Sequence, residues 1–228
     1  MKTTAADDDL SRTAPARERL VTARLCVLVT GGADAGSFER LVAALVTAGV
    51  PMLQLRDKQL PDEALLDRCR LAMELARRLA PAAAPLVIVN DRVEVAVAAA
   101  ADGVHLGAGD LPVAEARRRL GPTALIGRTA HSPAEAEAAV ADGADYLGVG
   151  PCFPSATKSF ARHAPRDFLA ATATLPLPVF AIGGIDESRI EALADLGLTR
   201  VAVAAAVTSA ADPAAAARRL LAALAAGS

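Results

Sequence analysis

Short runs of β-branched and other apolar residues alternate with longer stretches rich in Ala, Leu, Arg and Glu. The short runs lack the apolar–polar alternation of a strand with one wet face, and are typical of parallel strands buried on both faces. They predict eight strands, over residues 25–30, 52–56, 86–90, 103–107, 124–127, 145–149, 178–182 and 200–204. The longer stretches predict eight helices, over residues 37–48, 61–79, 93–100, 112–120, 133–142, 165–174, 187–195 and 213–226.

The junctions between these stretches carry start and stop signals for helices. Several helices are expected to end on Ala-x-Gly just before an apolar run, as at residues 101–104 and 141–144, and glycine favours a left-handed helix cap. Ser132, Pro133 and Glu135 have the spacing of a capping box. Eight strand–helix units in 228 residues close most economically into a (β/α)8 TIM barrel, the predicted α/β fold class.

A doubly wound sheet is the second possibility, but no G-x-G-x-x-G follows the first strand. Residues 1–20 lack the strand–helix pattern. We therefore expect a flexible N-terminal arm over residues 1–20 and one barrel domain over residues 21–228.

Composition narrows the class of protein. Apolar residues make up 53% of the chain and the formal net charge is −2, which gives no basic field for binding nucleic acid or an anionic membrane. No apolar run is long enough to span a bilayer, and residues 1–20 lack the apolar segment of a secretory signal. The three cysteines are odd in number and lack metal-site spacing, so a framework of disulfides is not expected. We therefore expect the protein in the cytoplasm, where thiols stay reduced. The sequence leaves open whether the protein forms a homo-oligomer.

Polar residues collect where the predicted strands end, and in a barrel the chemistry lies on the loops that leave those ends. Asp91 and Asp110 follow neighbouring strands, and two carboxylates suit Mg²⁺ when water and substrate phosphates complete its octahedron. Either residue could instead favour the start of the next helix. Arg56 and Lys58 follow the second strand and suit a pyrophosphate bridging to that metal, although they could also be ordinary surface cations.

A second anion site is expected at strands seven and eight. Gly183 and Gly184, with the small residues 204–206, would let backbone amides approach a phosphate, although the glycines could simply form a tight turn. Lys158 read alone is more typical of a solvated lysine. His105 lies mid-strand and is expected to be structural, whereas the role of His131 stays open.

These residues lie in motifs that resemble the thiamine-phosphate synthase family, from about residue 25 to residue 213. The motifs are QLRDK (54–58), VNDR (89–92), ADGVHLG (101–107) followed by Asp110, ADYLGVGPCFPSATK (144–158), AIGGI (181–185) and VAVAAAV (201–207). The resemblance implies a transferase of thiamine biosynthesis. It would join 4-amino-2-methyl-5-(diphosphooxymethyl)pyrimidine to 4-methyl-5-(2-phosphoethyl)thiazole, or its carboxylated form, and release pyrophosphate.

The resemblance also implies roles for individual residues. Asp91 and Asp110 would hold one Mg²⁺ per subunit. The pyrimidine pyrophosphate would contact Gln54, Leu55, Arg56, Asp57, Lys58, Asn90, Thr129 and Lys158. The thiazole phosphate would contact Ser155, Ala156, Thr157, Gly184, Ala204 and Ala205. Arg56, Lys58 and Lys158 would be catalytic, by stabilising charge on the leaving pyrophosphate in a dissociative displacement.

The chain departs from the family pattern at a few positions. Threonine replaces the expected serine at Thr129, serine replaces threonine at Ser155, and Ala108 and Ala205 lack expected polar side chains; residues 159–165 also differ. One alternative is the related thiazole tautomerase, which resembles this chain at residues 127–132 but looks to use a histidine where this chain has Pro151. The other is a non-catalytic sensor of a phosphorylated ligand.

Overall fold

Eight parallel strands close into a barrel in their sequence order, each pairing with its neighbours and β8 pairing back to β1. A computed structural model describes residues 15–30, 34–154 and 163–227. The strands are β1 Leu25–Val29, β2 Met52–Leu55, β3 Leu86–Asn90, β4 Gly103–Leu106, β5 Leu125–Ala130, β6 Tyr146–Val149, β7 Val179–Ile182 and β8 Val201–Val203. The predicted (β/α)8 barrel is confirmed.

Helices follow the strands and cover the outside of the barrel. They are α1 Ala16–Thr22, α2 Ala35–Thr47, α3 Asp62–Leu79, α4 Val93–Ala99, α5 Val113–Leu120, α6 Pro133–Ala141, α7 Arg166–Thr172, α8 Ile190–Ala194 after a 3₁₀ turn Glu187–Arg189, α9 Ala205–Thr208 and α10 Pro213–Ala226. The eight predicted helices are confirmed, and α1 and α9 were not predicted. Within the described ranges, no helix is both long and apolar enough to cross a membrane.

Successive strand residues point alternately outward to the helices and inward to the barrel axis. Val27, Leu53 and Val87 point outward and are fully buried in the layer between strands and helices. The inward side chains of the lower half form a separate apolar cluster of Cys26, Met52, Leu86, Ile88, Leu125, Tyr146, Phe180 and Ala202. The barrel is therefore filled with side chains, as an eight-stranded barrel requires.

Helix α1 belongs with the lower end of the barrel. Leu20 is buried and joins the interior apolar cluster. Arg19 pairs with Asp102, and Arg17 lies 3.0 Å from an oxygen of Asp145; these acids directly precede β4 and β6. Residues 16–20 thus depart from the flexible arm expected over residues 1–20, because they cover apolar side chains and pair with acids. Residues 1–14 lie outside the described residues, so for them the arm stays a prediction.

Glycines on the inner wall make room for two large side chains. A Cβ at Gly127 would lie 2.1 Å from Cζ of Tyr146, far inside van der Waals contact. A Cβ at Gly148 would lie 3.1 Å from Cε1 of His105. Tyr146 and His105 therefore occupy interior space that two missing side chains leave free.

We expect Gly127→Ala to destabilise the fold by about 1–3 kcal/mol, because the added methyl overpacks the interior against the Tyr146 ring. Urea unfolding followed by circular dichroism measures the change. Gly109→Ala is the control, since a Cβ there meets nothing within 4 Å. Equal unfolding midpoints for the two variants would contradict the close packing of Tyr146 on Gly127.

Candidate active site

The inward positions of the upper half of the barrel are polar, unlike those below them. Gln54 on β2, Asn90 on β3 and His105 on β4 are 4%, 9% and 9% exposed, and Thr129 on β5 lies at an inward position. Three of these residues, Gln54, Asn90 and Thr129, were expected to bind substrate. The structure brings them together on the inner wall beneath the barrel mouth.

His105 connects this polar layer to the apolar layer below. Its Nε2 lies 3.0 Å from Oγ1 of Thr129, and its Nδ1 lies 3.3 Å from the hydroxyl of Tyr146. Burial, with a smaller contribution from the charge of Arg128, lowers the pKa of His105 to about 4. The imidazole is therefore neutral at pH 7 and adds no positive charge to the site.

Asp91 and Asp110 form a carboxylate pair at the mouth. Asp91 has a φ of 63°, a left-handed conformation that is uncommon outside glycine, and its N–H donates to the carbonyl of His105 at 2.8 Å. Burial raises the pKa of Asp91, and a hydrogen bond with Asp110 and that residue's charge raise it further; Lys58 and Arg56 act in the opposite direction. A nearby cation would stabilise the ionised form of both carboxylates.

A short turn after β4 holds Asp110 in place. The Gly107 N–H donates to Oδ2 of Asp110 at 2.6 Å, and the Asp110 N–H donates to the carbonyl of Gly107 at 3.1 Å. Arg128 on β5 donates to the carbonyls of Leu111 and Ala108 at 3.2 and 3.1 Å. The guanidinium therefore braces the loop that carries Asp110.

The loop after β2 places two cations beside this pair. Nζ of Lys58 lies 3.7 Å from Oδ2 of Asp91, and the Lys58 side chain is 66% exposed. Arg56 directly follows β2, and its charge acts on Asp91. Arg92, which follows Asp91 in the chain, donates to the carbonyl of Leu60 at 2.5 Å and so ties the β2 and β3 loops together.

Two expected substrate residues on this loop have other surroundings. The Leu55 side chain is 1% exposed and packs among the outer core residues, because it alternates with inward-facing Gln54. Oδ1 of Asp57 accepts the backbone N–H groups of Gln59 and Leu60 at 2.8 and 3.0 Å. Leu55 can thus meet a ligand only through its backbone, and Asp57 shapes the turn that presents Lys58.

Across the mouth, the loops after β6 and β7 lie against each other. Cys152 and Phe153 donate their N–H groups to the carbonyls of Ile182 and Gly183 at 2.9 and 3.0 Å. Gly184 has a φ of +63°, and a Cβ there would lie 2.3 Å from the carbonyl oxygen of Pro154. Only glycine fits this approach, because any other residue would place its Cβ against the carbonyl groups of Phe153 and Pro154.

The remaining predicted residues divide into two groups. Ala204 and Ala205 lie where β8 passes into α9, and Ala204 immediately precedes that helix. Ser155, Ala156, Thr157 and Lys158 lie outside the described residues. Their contacts with substrate stay predictions.

The described donors fit Mg²⁺ better than they fit a transition metal. In residues 15–30, 34–154 and 163–227, no group of three or more His, Cys, Asp or Glu side chains could hold a metal ion. Asp91 and Asp110 supply two carboxylates only, and Mg²⁺ is commonly held by one or two carboxylates with water and phosphate oxygens. Thiolate or multi-histidine ligation has no basis in this part of the chain.

Comparison with known proteins agrees with the motifs and the geometry. A family model described as thiamine monophosphate synthase matches residues 25–207. A thiamine-phosphate synthase of Anaeromyxobacter dehalogenans is 46% identical over 204 residues, which cover 88% of this chain and 87% of that protein. The chain belongs to the thiamine monophosphate synthase family. The matched segment runs from β1 to α9 and includes both sides of the mouth.

Two further relatives give the extent of the similarity. A thiamine-phosphate synthase of Gloeobacter violaceus is 43% identical over 198 residues, which cover 86% of this chain but 56% of that protein. The chain thus spans a little over half the length of that relative. A solved structure, thiamine phosphate pyrophosphorylase from Pyrococcus furiosus, is 31% identical with a TM-score of 0.78 and covers 92% of this chain and 98% of its own.

Three residues near the site were given no role from the sequence. Tyr146 contacts His105 from below, Arg128 braces the Asp110 loop, and Arg92 ties two loops together. Tyr146 and Arg128 each lie on a strand, and alternation along a strand could have indicated which way they point. Their partners, however, are set by the barrel register and cannot be found from spacing along the chain.

We expect Asp110→Ala to lower the pKa of Asp91, because the substitution removes both a hydrogen bond and a like charge that raise it. Carboxyl ¹³C NMR of the metal-free protein, titrated with acid, measures this pKa. Asp62→Ala is the control, since Asp62 pairs with Arg92 at 3.0 Å and is not a cause of the Asp91 shift. An unchanged pKa in Asp110→Ala would show that the two carboxylates do not interact.

Proposed function

We propose that this chain joins 4-amino-2-methyl-5-(diphosphooxymethyl)pyrimidine to 4-methyl-5-(2-phosphoethyl)thiazole, or its carboxylated form, and so produces thiamine phosphate and pyrophosphate; with the carboxylated form, the carboxyl group also leaves as CO₂. The observation that carries the proposal is the carboxylate pair Asp91–Asp110 with Lys58 3.7 Å from Asp91. Membership of the thiamine monophosphate synthase family supports the same reaction. Mixed charge of this kind suits a pyrophosphate and a divalent cation together.

Asp91 and Asp110 would hold one Mg²⁺ per subunit. When bound, the ion supplies positive charge to the pyrophosphate oxygens. This assignment is supported by the raised pKa of Asp91, whose causes include the charge of Asp110, because a cation held by the two carboxylates would relieve that repulsion.

With the uncarboxylated thiazole, the bond changes need charge stabilisation and no proton transfer. The C–O bond between the pyrimidine methylene and the pyrophosphate breaks, and its electron pair leaves with the pyrophosphate. The thiazole nitrogen then donates its lone pair to the methylene carbon and forms the new C–N bond. Arg56 and Lys58 would stabilise the negative charge of the leaving group, and Lys158 is proposed for the same role.

The inner wall would bind the pyrimidine. Gln54 and Asn90 offer buried amide groups, and Thr129 offers a hydroxyl. Since these side chains lie at inward positions of neighbouring strands, they could orient the methylene carbon relative to Asp91 and Lys58.

The thiazole phosphate would lie on the opposite side of the mouth. The backbone of Gly184, Ala204 and Ala205 has no bulky side chain to keep a phosphate away. Ser155, Ala156 and Thr157 are proposed to contact the same substrate.

Asp91→Ala is expected to reduce turnover by about 10²–10³-fold, since it removes one preorganised electrostatic group. The assay measures pyrophosphate release by the full chain with both substrates, with and without Mg²⁺. The matched control is Asp62→Ala, which removes a carboxylate at the start of α3 that pairs with Arg92 instead. We expect release to need both substrates, Mg²⁺ and Asp91.

Other outcomes would replace the proposal. Less than a threefold loss in Asp91→Ala would remove Asp91 from the site. Binding of the thiazole phosphate without any pyrophosphate release would favour a sensor of a phosphorylated ligand, and isomerisation of the thiazole would favour a tautomerase.

A further inference from the structure

Three polar groups form a chain inside the barrel that runs from the apolar lower half to the mouth. The Tyr146 hydroxyl lies 3.3 Å from Nδ1 of His105, and Nε2 of His105 lies 3.0 Å from Oγ1 of Thr129. Tyr146 is 2% exposed and packs edge-on against Phe180 at a ring distance of 5.7 Å. Of these three groups, only Thr129 approaches the mouth.

The direction of the hydrogen bonds follows from counting protons. Within the described chain, His105 is the one hydrogen-bond partner of the Tyr146 hydroxyl. A buried hydroxyl hydrogen without an acceptor is unfavourable, so the Tyr146 O–H must donate to Nδ1. Nδ1 then carries no proton, and a neutral ring carries its proton on Nε2.

The two other protonation states of the ring leave the same hydrogen unpaired. With the proton on Nδ1, the ring donates to Tyr146 and the Tyr146 hydrogen has no acceptor. With protons on both nitrogens the result is the same. Both states bury an unsatisfied donor among apolar neighbours that include Phe180.

We infer that Tyr146 is a positioning residue: its hydroxyl holds His105 in the Nε2–H tautomer, so that Thr129 accepts from His105 and presents its own hydroxyl hydrogen to the substrate site. Thr129 is thereby a hydrogen-bond donor, matched to an acceptor atom of the ligand. Gly127 permits this arrangement, because a Cβ there would overlap the Tyr146 ring. That the acceptor belongs to the pyrimidine pyrophosphate rests on the proposed function.

The tautomer can be measured directly on the protein without substrate. Two-bond ¹H–¹⁵N NMR correlations of uniformly ¹⁵N-labelled full-length protein at neutral pH distinguish Nε2–H from Nδ1–H. We expect His105 of the unmodified protein to be in the Nε2–H form and Tyr146→Phe to give a mixture of tautomers. Phe180→Leu is the control: it alters packing on the Tyr146 ring but keeps the hydroxyl, so the tautomer should not change. An Nδ1–H ring in the unmodified protein would overturn the inference, whether or not the variants fold.

Kinetics then test whether Tyr146 acts through Thr129. We expect Tyr146→Phe to raise KM for the pyrimidine pyrophosphate about 5- to 10-fold, the size of one neutral hydrogen bond. The same substitution should have no further effect in a Thr129→Val background, because the donor is already gone. Additive effects would overturn the inferred route. If the unmodified protein releases no pyrophosphate, the proposed function fails while the tautomer result stands by itself.

Discussion

The interior of an eight-stranded barrel is only wide enough to be filled by side chains, and this limit governs the rest of the structure. The lower half is filled by apolar residues such as Met52 and Phe180, with Leu20 of α1 covering their end. The upper half is filled by Gln54, Asn90 and other polar groups that need partners. The same wall therefore supplies both the core and the floor of the site.

On the charged side of the mouth, at the loops after β2, β3 and β4, the negative charges are not fully balanced by neighbouring cations. Asp91 and Asp110 repel each other, and Lys58 at 3.7 Å from Asp91 is too exposed to offset that repulsion fully. The left-handed backbone of Asp91 adds local strain, which the N–H bond to the carbonyl of His105 helps to hold. Like charges held together on a strained backbone do not stabilise the fold, so ligand binding is the better explanation for this arrangement.

The sequence was a good guide to features that depend on local pattern. Apolar runs and Gly and Pro signals predicted all eight strands, and motif position predicted Gln54 and Asn90 at the mouth. A motif does not show which way each of its side chains points: Leu55 and Asp57 lie within QLRDK, where Leu55 faces the core and Asp57 binds a turn, and their substrate contacts stay predictions. Helix α1 was missed because its role depends on Asp102 and Asp145, which are distant in sequence.

The two sides of the mouth differ in how their geometry is held. The β6 and β7 loops are joined by main-chain hydrogen bonds, such as that from Phe153 to Gly183, and by a close approach that leaves no room for a side chain at Gly184. The charged side depends on side chains instead, because each carboxylate and each cation there belongs to a separate residue. A side chain at position 184 therefore disturbs the backbone of these loops, whereas a substitution of Asp91 or Asp110 removes a charge.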